Sequence, residues 1–332
     1  MKKINIDINA LKERFLNWPP VKNTIQWSKE TSLPGFFRVP IYDVIVFIYI
    51  ELKRYDLFTR ANSTAFSFFL SLFPSLIAFF TLIPLFKQLF INYLPEGENF
   101  DQYLRDEVLR IMPGVAGERV FTFIDDVTSN PRFGLLSFGF ILAIIFASNG
   151  MMALMQGFEK SYVKTFKNRT NFKKRIIAIG LTFQIGVLLI AAVSLIILGE
   201  FLLSWLNSYL HLDTFTTITI QLLRWIAILL LFYIGISVIY RYGAATKRRF
   251  SMFSPGATLA TLLCILSSLG FSAYVNEFNT YNELYGSIGT IIVLMLWIQI
   301  NSLILLVGFE LNASIAVNRD LKEEVPEEAE TL

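Results

Sequence analysis

The chain has 332 residues, 54% of them hydrophobic, with a mean hydropathy of +0.54, a net charge of +3 and several uninterrupted apolar stretches of about 20 residues. That pattern excludes an ordinary water-soluble domain and predicts an all-α polytopic membrane protein. A single cysteine, Cys264, and a single histidine, His211, exclude an internal disulfide, a cysteine metal cluster and a histidine-rich metal site, so no cofactor is expected.

In chain order, residues 1–40 begin "MKKINIDINALKERF" and lack the apolar core of a secretory signal, so an uncleaved cytoplasmic segment is expected. Residues 41–317 form the membrane domain. It opens with "IYDVIVFIYIELKRY" over 41–55, apolar then basic, which reads either as an interfacial helix on the inner leaflet or as an elbow before the first span. Six spans are predicted: Thr64 to Phe86, Gly134 to Phe158, Ile176 to Leu203, Thr219 to Tyr240, Phe253 to Val275, and Ile288 to Val317. Between the first two, Phe100, Leu104, Val108 and Ile111 recur at helical spacing among charged residues, predicting an outer amphipathic helical hairpin over 96–132. Residues 318–332 are an acidic tail, expected to be disordered and cytoplasmic.

Loop charges orient the spans. Seven basic residues between Lys160 and Arg175, and Arg241, Lys247, Arg248 and Arg249 after the fourth span, mark two cytoplasmic loops, while the loops of His211 and of Glu277 and Glu283 carry no Lys or Arg. With a basic amino-terminal region as well, both termini are expected in the cytoplasm.

Polar residues within the spans fall into stripes when placed at 100° intervals. On the first span Arg60, Ser63, Thr64, Ser67, Ser71, Pro74 and Ser75 share one face, and Phe66, Phe69 and Phe73 point elsewhere. Small residues on such a face serve close helix packing as readily as they line a cavity. On the second span Asn149, Gln156 and Lys160 form a stripe expected to face the bundle, since a buried amide needs partners. On the sixth, Gln299, Ser302, Leu306, Glu310 and Ala313 form one stripe, with Asn301, Gly308 and Asn312 opposite, so this helix is expected to be contacted on both sides.

Glu310 is the carboxylate that the membrane makes expensive. Two readings stand: an ion pair with Arg60 or Arg241, which the predicted orientation places at the same end, or extension to the interface near Arg319. "SPGA" at Ser254 to Ala257 is a helix start, with Ser254 as cap and Pro255 in the first turn, and its amino terminus near Arg248 and Arg249 offers a place for a lipid phosphate. "GFEKS" at the end of the second span echoes "GFELN" at the end of the sixth, an echo expected to be chance because an inverted repeat would not place them so.

The run "RRFSMFSPGATLATLL" through "YNELYGSIGTIIVLMLWIQINSLILLVGFELNAS" resembles the YihY family, also called the BrkB virulence-factor family, of bacterial inner-membrane proteins. The resemblance rests on Pro255, Gly256, Tyr285, Gly286, Ser287, Leu296, Trp297, Gly308, Glu310, Leu311 and Asn312, and extends roughly from Arg54 to Ala316. The chain departs from the family at "WIQIN" and at Cys264. The resemblance implies a six-helix inner-membrane protein, with members linked to envelope integrity and to transport of lipids or other amphiphiles. It also brings an old label as a tRNA-processing ribonuclease. A lone histidine with Asp213 in an outer loop does not make a nuclease metal site, and topology explains the basic loops, so neither an enzyme nor a nucleic-acid partner is expected.

The function expected is a transporter or flippase-like protein for a lipid or amphiphilic solute. Its expected translocation cavity lies between the first, second and sixth spans, lined by Arg60, Ser63, Ser67, Ser71, Asn149, Gln156, Arg241, Gln299, Glu310 and Asn312. The alternative is a non-transporting scaffold that holds envelope partners or a second copy of itself.

Overall fold

The computed structural model describes residues 19–54, 57–72, 74–75, 105, 118, 121–122, 125, 133–210, 214–277 and 279–322. These form helices α1 (Pro19–Glu30), α2 (Ile41–Arg54), α3 (57–72), α4 (Phe133–Gly157), α5 (Asn171–Leu210), α6 (Thr214–Val238), α7 (Pro255–Glu277) and α8 (Asn279–Lys322). Among the described residues, four stretches have the length and apolarity to cross a membrane: Asn171–Ala192, Thr216–Gly243, Pro255–Tyr274 and Ile291–Leu321. The other two expected spans fall on α3, described in part, and on α4, which has 25 residues. Most of the expected 96–132 hairpin, the first 18 residues and the tail after Lys322 lie outside the described residues. Within the hairpin region the Arg105 guanidinium pairs with Glu118 at 2.9 Å and lies over the Phe121 ring.

Helices of this kind associate in lipid through close packing and interhelical hydrogen bonds, because lipid tails are as apolar as leucine. The tightest crossing joins α7 to α8. A Cβ added to Gly256 would lie 2.1 Å from the Gly308 carbonyl oxygen, and one added to Gly308 would lie 2.7 Å from that of Gly256. Only hydrogen at both positions lets the two backbones come so near. Asn312, one turn beyond Gly308, then accepts a hydrogen bond from the Gly256 amide at 2.9 Å and donates to Ser254 at 3.0 Å. The amino terminus of α7 is therefore capped from another helix.

At its last turn α6 widens into a π-helical segment, Ile239–Gly243. The buried Tyr240 hydroxyl there donates to the Leu305 carbonyl of α8 at 2.7 Å, tying α6 to the same centre. Beyond it, the loop after α6 meets the loop after α4 in an antiparallel bridge of Phe166 and Thr246. Lys167 donates to the Ala245 carbonyl at 2.8 Å and Lys247 to the Thr165 carbonyl at 2.9 Å. The two basic loops thus share one end of the bundle. Helix α2 has one face buried there: Val44 packs with Ile315, and Ser314 donates to the Val44 carbonyl at 3.2 Å. Ile45, Tyr49 and Ile50 on its other sides are exposed, so α2 brackets α8.

Candidate functional site

The core narrows at the basic end onto a buried charged cluster. Arg60, near the start of α3, donates from Nη1 to Glu310 Oε1 at 3.0 Å, and Lys160 Nζ stands 2.7 Å from the other carboxylate oxygen. Side-chain exposure is 2% for Glu310, 1% for Lys160 and 20% for Arg60. Each charge alone would be prohibitive in such a site, and the carboxylate is affordable because two cations from two other segments meet it. Among the described residues the cluster sets two cations against one carboxylate, a positive excess, and Arg60 Nη2 is buried with no acceptor. Lys160 follows the carboxyl end of α4 by three residues, where the helix dipole offsets part of that excess.

Local sequence explains the geometry. "GFEK" ends α4 at Gly157, and a Cβ there would meet the Leu306 side chain at 2.8 Å. The close approach sets Phe158 on Phe309, stacked with ring centroids 4.4 Å apart, and brings Lys160 beside Glu310. The two echoing segments, "GFEKS" and "GFELN", lie in contact: Gly157 permits the approach, Phe158 stacks on Phe309, and Lys160 meets Glu310. Gly150 does the same for α3 against α4, where an added Cβ would lie 2.7 Å from Ser71 Oγ.

Of the ten residues expected to line a cavity, Arg60 and Glu310 come together. Asn312 lies on the opposite face of α8, committed to the α7 cap. Gln299 donates to Asn62 at 2.7 Å, and Arg241 donates to the Phe250 carbonyl at 2.8 Å. Ser71 is buried but donates to the Phe68 carbonyl of its own helix, Ser67 is half-buried, and Ser63 is exposed. Asn149 and Gln156 are exposed, against the expectation that their stripe faces the bundle. The reason is Arg175 of α5, which donates to Asn149 Oδ1 at 2.7 Å and Ser148 Oγ at 3.1 Å, so the amide is satisfied at the rim and Met151, Leu154 and Met155 take the core. Lys160, the third member of that stripe, does face the bundle, but its pairing with Glu310 was not foreseen, and Arg175 is the partner that stripe reasoning missed. The signal for Lys160 was a lysine directly after an apolar run that ends in a copy of the Glu310 motif.

A separate cavity of about 600 Å³ opens between α5, α6, α7 and α8. Leu188, Ala192, Phe232 and Cys264 typify its walls, and none of the ten expected residues lines it. Its polar groups are mutually bonded: Trp297 Nε1 donates to Ser268 Oγ at 3.3 Å, and Asn301 donates to the Trp297 carbonyl at 2.8 Å.

An all-helical membrane bundle, pinned at one end by a buried carboxylate between two cations and hollowed by an apolar cavity, is the class that fold and site define. The family model for virulence factor BrkB matches residues 48–331, and the chain belongs to that family. It is similar to the putative ribonuclease-like protein YfkH of Bacillus subtilis, at 30% identity over 81% of this chain and 93% of that one. It is also similar to UPF0761 membrane proteins. VP0125 of Vibrio parahaemolyticus is 23% identical over 75% of this chain and 77% of its own, and PSHAa0171 of Pseudoalteromonas translucida is 34% identical over 25% and 28%. No solved structure matches the chain.

Proposed function

We propose that this membrane protein takes a lipid or other amphiphile between its helices and moves it across the bacterial inner membrane, with the basic end of the bundle and both termini in the cytoplasm. The observation that carries the reading is the apolar cavity between α5, α6, α7 and α8. Its volume of about 600 Å³ lies within the roughly 300–1,000 Å³ typical of small-molecule sites, and its walls suit an acyl chain far better than a hydrated solute. The basic loops at one end support the orientation.

In this reading the charged cluster is the element that rearranges during transport. Glu310 holds α3 through Arg60 and the end of α4 through Lys160, and exchange of either cation for another partner loosens that helix from α8. The ribonuclease-like wording belongs to the Bacillus subtilis relative. The buried charges here are two cations on one carboxylate, the reverse of the several anionic ligands that a metal-dependent nuclease gathers around its ions, and that supports a non-enzymatic role.

Proteoliposomes with a labelled phospholipid and an outside-only quencher test the proposal, comparing wild type, Glu310→Gln, the cavity-filling Ala192→Phe and empty vesicles. Wild type is expected to speed exchange, and Ala192→Phe to slow it at least tenfold while eluting as folded protein. Wild type matching empty vesicles for several lipid classes overturns translocation and favours the scaffold, alone or as a homo-oligomer.

A further inference from the structure

At the basic end, outside the charged cluster, lies a second cavity of about 630 Å³ whose walls are about half polar. Lys167, Arg169, Lys174 and Lys247 line it, with Glu159 as the one carboxylate. Glu159 is already paired with Lys174. Lys160 also borders the cavity, but its ammonium is turned inward to Glu310.

Three features make this a built site. First, its walls are fixed: the Phe166–Thr246 bridge and its two flanking amide bonds hold Lys167 and Lys247 on paired strands of chain from two loops. Second, Arg169 is anchored rather than neutralised. Its guanidinium donates to the carbonyls of Tyr242 and Gly243 at 2.9 and 3.0 Å and of Ala244 at 2.7 Å, closing the carboxyl end of α6. Carbonyls carry no full charge, and its buried Nε has no acceptor. Burial, and then the neighbouring Arg249, push the guanidinium below its ordinary pKa, as expected where positive charge is not compensated. Third, the exposed ammonium groups of Lys167 and Lys247 border the same space, giving donors from separate loops toward one ligand.

We propose that this cavity is a binding site for a phosphate group. A phosphate presents several acceptor oxygens and one to two negative charges, which matches separated cationic donors on rigid walls better than a carboxylate or halide does. The cavity sits where the bundle meets its basic loops, so the phosphate has two sources: the headgroup of an anionic lipid, or a free phosphate or pyrophosphate in solution. The site rests on its own charges and walls, and stands whether or not lipid translocation does. The amino terminus of α7, the other expected place for a phosphate, is less suited because its Gly256 and Ala257 amides already donate to Asn312 and Ser254.

The test uses the full chain in an uncharged detergent, as wild type, as Lys167→Gln with Lys247→Gln, and as Arg248→Gln. Both exposed lysines lie outside the core, so the double variant is expected to elute like wild type. One arm titrates orthophosphate and pyrophosphate by calorimetry. The other titrates dioleoyl phosphatidic acid against dioleoylglycerol, which lacks the phosphate, by native mass spectrometry. Wild type is expected to bind a phosphate-bearing probe in at least one arm, at least tenfold more tightly than the double variant, which is about 1.4 kcal/mol. Arg248→Gln is expected to stay within twofold. Binding of the soluble anions identifies the free-phosphate source, and retention of phosphatidic acid alone identifies the headgroup. Absence of binding in both arms overturns the site, as does equal binding by the double variant. An equal loss in Arg248→Gln also overturns it, by reducing the effect to the general positive field of that end.

Discussion

The two halves of α8 live in opposite surroundings. Between 291 and 300 only Ile298 is buried, although the segment reads "IIVLMLWIQI"; between 306 and 317 nearly every residue is buried, although it contains Gly308, Glu310, Asn312 and Ser314. In water the burial would run the other way. In a bilayer, apolar side chains are content against lipid, whereas polar groups must be satisfied inside protein, so the polar half of the helix becomes the core. Position in the bundle here follows hydrogen-bonding need and backbone approach more than hydrophobicity.

The strongest way to break the contrast is to deny the buried half its close approach. Gly256→Val places a side chain against the Gly308 carbonyl and the Asn312 amide, and the expected cost exceeds about 4 kcal/mol, read as loss of a monodisperse peak and of expression. The same substitution at Gly270, where an added Cβ meets nothing within 4 Å, is expected to leave the protein folded.

Charge removal in the buried half comes next, and it is asymmetric. Glu310→Gln leaves Arg60 and Lys160 facing each other without a carboxylate, with an expected cost of about 3–5 kcal/mol. Lys160→Gln leaves the neutral Arg60–Glu310 pair, and its cost should be about 1–3 kcal/mol. Thermal unfolding in detergent checks the order: no cost for Lys160→Gln would mean that Lys160 contributes nothing to holding the carboxylate, and equal costs would remove the asymmetry. The smallest effect belongs to the lipid-facing half. Ser268→Ala removes the acceptor of the Trp297 indole N–H and should cost about 0.5–1.5 kcal/mol, visible as a shift in indole fluorescence with little change in melting temperature.

The difference between the halves was partly legible in the sequence. The face carrying Gln299, Ser302, Leu306 and Glu310 and the face carrying Gly308 and Asn312 are both visible in the periodicity, and both make interhelical contacts. The pairing of Glu310 with an arginine at the same end was among the sequence readings, and Arg60 fulfils it. Periodicity failed on α4, because it shows that Asn149 and Gln156 share a side but not that Arg175 of the next helix would satisfy one of them at the rim. Arg60 and Arg241 likewise looked equivalent beside Glu310; Arg241 instead turns to the Phe250 carbonyl of its own loop.

By itself the sequence determined the helical membrane class, the segments able to span, the sharing of one end by the basic loops, and the residues whose burial would need partners. These follow from length, hydropathy and charge, which act locally along the chain. The tertiary structure alone decided that Lys160 and Arg60 share one carboxylate, that Asn312 caps a helix 56 residues away, and that an apolar cavity opens between α5, α6, α7 and α8. Each depends on how closely two backbones approach, and that distance is set by which residue stands opposite which across a helix crossing.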